Sequence, residues 1–302
     1  MQNSAKIKRY FRIIEFVQNH PKPTPKLLKE RLEDDGFIQS KRTIERALEE
    51  IRNEFFIDIN YDRKKKQYVV SDEEEGYTQE LIRYFKLNYQ AETLVSNLGS
   101  SKKLSNNISY DFEKQIQGTQ FIGDILQAIS SKRTIKIRHQ KFEDEEARER
   151  ILAPYLLKEF KGRWYILGEV LHEAEKLKHQ VFGLDRITEV KPLTEKFKPT
   201  IKNPKNYFKD IIGVSGWANK LEKVKIEFYK SQGKFIKSLP IHESQVVLED
   251  NKERLVIQIE IKPNYEFYQQ ILGYGSKAKV IEPNYVKERI VNELKKTLKL
   301  YE

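Results

Sequence analysis

Gly162-Arg163-Trp164-Tyr165-Ile166-Leu167-Gly168-Glu169-Val170, then, past a polar turn, Gln180-Val181-Phe182-Gly183-Leu184-Asp185-Arg186-Ile187, is the stretch on which the reading of this chain turns. The first half is an aromatic and β-branched run bounded by glycines, the composition of a short buried strand. Residues 172–179 between the halves carry Glu173, Glu175, Lys176 and Lys178, as a solvated hairpin connection would. The second half alternates well enough to be the return strand.

Upstream, Phe121, Ile122, Ile125, Leu126 and Ile129 recur at helical spacing. Residues 134–139 alternate as a half-exposed strand, 143–149 form a charged loop, and 150–156 read as the next strand. A helix followed by four or five strands is the content of a small β-barrel. Downstream, Pro192, Pro199 and Pro204 among lysines mark 192–204 as a linker, and 207–217 read as a short helix and turn. From Val224 the pattern restarts as strand 224–229, helix 232–238, strand 244–249, strand 254–261, helix 265–272, strand 278–281 and helix 284–300. That β-α-β-β-α-β order is a ferredoxin-like arrangement with one extra helix.

The front of the chain is helical. Ile7, Tyr10, Phe11, Ile14 and Val17 share one face. Thr24 can cap a second helix that has Pro25 at its first position and ends at Gly36. Ser40 can cap a third, 41–55, with Ile44, Ala47, Leu48 and Ile51 inward and Lys41, Arg42, Thr43 and Arg46 outward. Strands at 57–61 and 67–70 follow, joined by Arg63, Lys64, Lys65 and Lys66. Three helices and a hairpin make a winged helix-turn-helix. A helix fits the major groove with its early residues at base edges, and a cationic tip suits phosphate. The same elements also serve as protein-pairing modules. Residues 78–98 and 103–116 read as a helical connector, either a dimer contact or a spacer.

With 302 residues the chain holds two or three domains. The absence of cysteine excludes disulfides, thiolate catalysis and zinc-finger sites. A net charge of +11 favours a polyanionic partner such as double-stranded DNA, unless it reflects a generally lysine-rich proteome. Without a long apolar run or a leader-like start, the expectation is a cytoplasmic protein with no membrane span. His20, His139, His172, His179 and His242 are scattered, and neither a phosphate loop nor a dinucleotide fingerprint occurs. No enzyme, metal or cofactor is therefore expected.

Trp164-Tyr165-Ile166 followed by Leu184-Asp185-Arg186-Ile187 resembles the signature of the WYL-domain family, with Ile166 where that family usually has Leu. Ser40-Lys41-Arg42-Thr43-Ile44-Glu45-Arg46 is similar to the recognition helix of many WYL regulators, with Ala47 where an Asp is usual. Val280-Ile281-Glu282-Pro283 resembles the extension that often follows a WYL domain. His139 stands where a Tyr is common, and Gly183 where a larger polar residue is common. The resemblance implies an α+β, multidomain protein. Its parts would be a winged helix-turn-helix (1–72), a helical connector (73–118), an SH3/Sm-like barrel that senses a ligand (119–197) and the C-terminal extension (198–302). It implies a homodimeric DNA-binding regulator, a repressor by preference, modulated by a nucleotide or nucleic-acid fragment, with phage-defence or stress genes as targets. The alternative is a nucleic-acid-responsive accessory subunit acting by protein contact.

Four residues are candidates for the ligand. The planar guanidinium of Arg186 suits a phosphate, or pairs with Asp185. His139 can bond a phosphate or base edge, or lie on the surface. Arg150 can join an anion site or face water. Tyr165 points opposite Trp164 and Ile166 and can stack on a base. Trp164 and Phe182 are expected in the core.

Overall fold

The computed structural model describes residues 2–37, 40–71, 118–171, 179–216 and 220–302. The expected connector, apart from Gly118, lies outside the described residues, as do 172–178 and Trp217. The chain divides into two compact units, residues 1–111 and 112–302.

The first unit holds α1 (Gln2–Asn19), α2 (Pro25–Asp34), α3 (Lys41–Phe55) and an antiparallel pair, β1 (Asp58–Asp62) with β2 (Gln67–Ser71). The apolar face of α1, with Tyr10, Phe11, Ile14 and Val17, meets Leu28 and Leu32 of α2 and Ile44, Ala47, Leu48 and Ile51 of α3 in one core. The helix starts are set by side chains. Thr24 accepts from the Leu27 N–H and Ser40 from the Thr43 N–H, satisfying donors that a first turn leaves unpaired. Each such cap contributes about 1 kcal/mol. Past α2, Gly36 takes φ +84°, a conformation that favours glycine.

The second unit begins with α4 (Ile122–Ser131) and five strands, β3 (Arg133–His139), β4 (Arg148–Phe160), β5 (Arg163–Leu171), β6 (His179–Gly183) and β7 (Ile187–Lys196). They pair antiparallel in the order β6-β5-β4-β3-β7. Lys161 and Gly162 join β4 to β5 with φ +49° and +74°, the two-residue turn whose twist matches its strands. Ile125 and Ala128 of α4 cover one face, over Ile135, Ile137, Leu152, Ile166 and Phe182. Phe208, Ile211 and Val214 from the segment after β7 cover the other, over Ala153, Tyr155 and Leu167. Trp164 and Ile166 face the helix, while Tyr165 and Leu167 face the segment, following strand alternation.

Three expectations change here. The return strand stops at Gly183, and Leu184-Asp185-Arg186 is a 3-10 turn. The chain turns there because β6 and β7 lie on opposite edges of the sheet. Among the described residues those two edges share no ladder, so the sheet is open rather than a closed barrel. The expected linker from 192 begins only after Lys196. Pro192 sits within β7 opposite Ile135, beside a register shift, and an edge strand tolerates its missing N–H.

A 3-10 turn (Pro204–Phe208) leads to β8 (Glu222–Tyr229), α5 (Lys230–Ser238), β9 (Val246–Asp250), β10 (Arg254–Ile261), α6 (Tyr265–Gly273), β11 (Ala278–Glu282) and α7 (Asn284–Lys299). The expected β-α-β-β-α-β order with a final helix is the order observed. Its sheet runs β11-β8-β10-β9, antiparallel throughout, over a core of Val224, Ile226, Phe228, Leu255, Ile257, Phe267 and Ile271. Among the described residues no helix is long and apolar enough to cross a membrane.

Candidate ligand cleft and nucleic-acid surface

A cleft of about 370 Å3 opens beside the five-stranded sheet, between the end of β3, strand β6 and the segment leading out of the sheet. Three of the four expected ligand residues, His139, Tyr165 and Arg186, line it. The fourth, Arg150, does not line it and does not face water either. It is buried, with its guanidinium 5.8 Å from the centre of the Phe182 ring. Phe182 is core, as expected, and also lines the cleft. Phe142, Gln180, Tyr207 and Ser215 line it without having been anticipated. Only the folded segment after β7 brings the last two there, so no local sequence signal marks them.

His139 is not a surface histidine. It is 3% exposed, its ring stands edge-on to Phe182 at 5.1 Å, and neither ring nitrogen has a hydrogen-bond partner. Burial, then the charges of Arg186, Arg150 and Lys141, lower its pKa from 6.5 to about 4, with Asp144 opposing. The imidazole is therefore neutral near pH 7, with one donor and one acceptor nitrogen. The unfolded chain binds this proton below pH 6.5 and the folded chain only near pH 4. Its contribution to stability is thus present above 6.5 and lost as pH falls toward 4, by no more than about 3 kcal/mol. Denaturant melts across that window should show a steeper acid loss for the wild type than for His139→Asn. Parallel curves would show that the imidazole stays solvated.

Arg186 reaches the cleft because the 3-10 turn takes it out of strand alternation. Its Nε has no hydrogen-bond partner and lies 3.6 Å from Asp185 Oδ1, while Arg163 Nη1 donates to the other Asp185 oxygen at 3.3 Å. Asp185 is thus shared, and Arg186 is not consumed by it. The guanidinium stacks on Phe142, 5.0 Å from the ring centre, and that ring is 76% exposed. Gly183 makes room: a Cβ there would lie 2.5 Å from Asp185 Oδ1 and 2.6 Å from Arg186 Nη2. His179, expected on an exposed hairpin, is half-buried at the cleft, with its Nε2 2.9 Å from the Thr200 hydroxyl.

In the first unit the expected cations are on the surface. Ser40, Lys41 and Arg42 are exposed at the start of α3, and Thr43 is half-exposed beside the cap. The Arg46 side chain is 78% exposed, with its Nε donating to Glu50 at 3.0 Å. Glu50 also accepts from the Tyr10 hydroxyl. At the hairpin tip, Asp62 Oδ1 accepts from the N–H groups of Lys64 (2.9 Å) and Lys65 (3.0 Å). This side-chain turn fixes the backbone and leaves Arg63, Lys64, Lys65 and Lys66 pointing to solvent.

Residues 120–192 match the family model of the WYL domain, and residues 220–298 that of the WCX domain. No curated protein matches the chain. Among solved structures, the chain is similar to Proteasome accessory factor B/C (PafBC) of Arthrobacter aurescens, at 16% identity and a TM-score of 0.35, over 97% of this chain and 46% of that one. It is also similar to a CRISPR Cas-related protein, at 12% identity and a TM-score of 0.41, over 99% of this chain and 85% of that one. The chain therefore spans about half the length of the PafBC structure.

Proposed function

We propose, from the premise that this chain carries a WYL domain followed by a WCX domain, that it is a DNA-binding transcription regulator controlled by an anionic ligand. The observation that carries this reading is the pair of solvent-facing cation groups in the first unit, Lys41 and Arg42 at the start of a helix and Arg63 to Lys66 at a hairpin tip. A winged helix would present the helix to base edges and the tip to phosphates. The cleft supports the ligand half of the reading. Arg186 offers a planar fork for a phosphate, neutral His139 offers a donor and an acceptor, and Tyr165 and Tyr207 offer rings on which a base can stack. A nucleotide or short nucleic-acid fragment fits that chemistry.

In this proposal the protein acts as a homodimer, and the ligand favours one spacing of the two DNA-binding units over another. Such differential binding is what control at a distance requires. Repression is the preferred sign, and the chain has no catalytic role. The test is a gel shift with duplex DNA from upstream of its own gene. Lys41→Ala combined with Arg42→Ala should weaken binding on the order of tenfold or more, since base-edge and phosphate contacts of about 1–3 kcal/mol each are lost. Unchanged binding, or co-purification with a stoichiometric enzyme and no shift at all, would overturn the reading.

A further inference from the structure

One wall of the cleft, Val214-Ser215-Gly216, belongs to neither sheet. It is held from the C-terminal domain by a carboxylate. Glu266, in the first turn of α6 and 7% exposed, accepts on Oε1 from the N–H of Val214 (3.2 Å), the N–H of Ser215 (3.0 Å) and the Ser215 hydroxyl (2.8 Å). Its Oε2 accepts from Asn264 Nδ2 at 3.0 Å, and that amide also donates to the carbonyls of Ile212 (2.6 Å) and Ser215 (3.0 Å). The segment bends tightly round the carboxylate. Gly213 takes φ +76°, and a Cβ there would lie 2.8 Å from Glu266 and 3.0 Å from the Phe160 ring. A Cβ at Gly216 would lie 3.0 Å from the ring of Tyr207, another residue of the cleft. Nearby, the Lys262 N–H donates to the Asp210 carbonyl at 2.6 Å and Lys262 Nζ to the Asp210 carboxylate at 3.0 Å.

We propose that Glu266 is a positioning residue for the cleft. It fixes the wall that an extended ligand meets, so recognition beside the five-stranded sheet depends on a side chain of the C-terminal domain. This rests on the ligand reading above and adds to it a division of labour. Arg186 supplies charge, and the wall held by Glu266 supplies shape. A small anion satisfied by Arg186 does not sense Glu266, whereas a nucleotide chain that reaches Ser215 and Tyr207 does.

Calorimetric titration of the full chain with two probes, inorganic pyrophosphate and a short 5′-phosphorylated oligodeoxynucleotide, separates the two. Glu266→Ala strands three donors, so it should weaken the oligonucleotide on the order of tenfold or more and leave pyrophosphate nearly unchanged. Glu266→Gln keeps an oxygen for those donors and should restore most of the loss. Ser215→Ala, which removes one donor, should cost the oligonucleotide about fivefold at most and serves if Glu266→Ala does not fold. Equal losses for both probes, or none, would overturn the proposal. If the wild type binds neither probe, the ligand reading fails, and Glu266 is judged by hydrogen exchange. The Val214 and Ser215 amides should exchange faster in the alanine variant while those of β8 do not, and unchanged rates would overturn the positioning role.

Discussion

Alanine at Arg63, Lys64, Lys65 and Lys66 together should lower affinity for duplex DNA about a hundredfold or more near physiological salt, and flatten its salt dependence. Each neutralised phosphate releases condensed counterions, giving a slope of about −0.9 in log affinity against log salt per contact. Losing up to four contacts should reduce the slope by about 3 to 4. The fold should be indifferent. All four side chains are exposed, and the turn is held by Asp62 through backbone N–H groups. Exposed substitutions of this kind usually stay within about 0.5 kcal/mol. Fluorescence anisotropy over a salt series, with a thermal melt beside it, measures both quantities. An unchanged slope would mean that the tip never meets phosphate.

Arg186→Ala carries the second large effect, on the ligand. Truncating one partner of a buried charge-assisted contact costs about 2–5 kcal/mol, so a phosphorylated probe should bind on the order of a hundredfold more weakly. Arg186→Lys should recover part of this at most, because an ammonium lacks the planar fork. Asp185 keeps Arg163 as a partner, so the turn itself should survive. Calorimetry on the three proteins decides the matter. Equal affinity in all three would reduce Arg186 to a structural neighbour of Asp185.

Much of this architecture was legible beforehand, and particular residues show why. The faces of α1 and α3 follow from apolar spacing, and the starts of α2 and α3 follow from Thr24 and Ser40, because helix periodicity and caps are local. The strand with Trp164 and Tyr165 was equally local. Arg186 was found through its guanidinium and motif and His139 through strand position, yet their environments were not. Whether His139 is wet depends on Phe182, Arg150 and Arg186, which reach it only once the sheet has folded. Pro192 misled for a similar reason, since its place on an edge strand is a property of the sheet order. Tyr207 and Ser215 lay furthest from view, because an irregular segment carries no period to read, and Glu266 sits on an expected helix whose period does not show what its carboxylate holds.

That irregular segment also decides where the molecule can be cut. Phe208, Ile211 and Val214, with Phe197, Ile201 and Tyr207 beside them, cover Ala153, Tyr155 and Leu167. Their last anchors are Asn264 and Glu266. A fragment trimmed at Lys196 would bare an oily surface to water, and one trimmed at residue 216 would keep its cover without the fastening. The smallest excisable piece that keeps both cover and fastening is therefore the whole of the second unit.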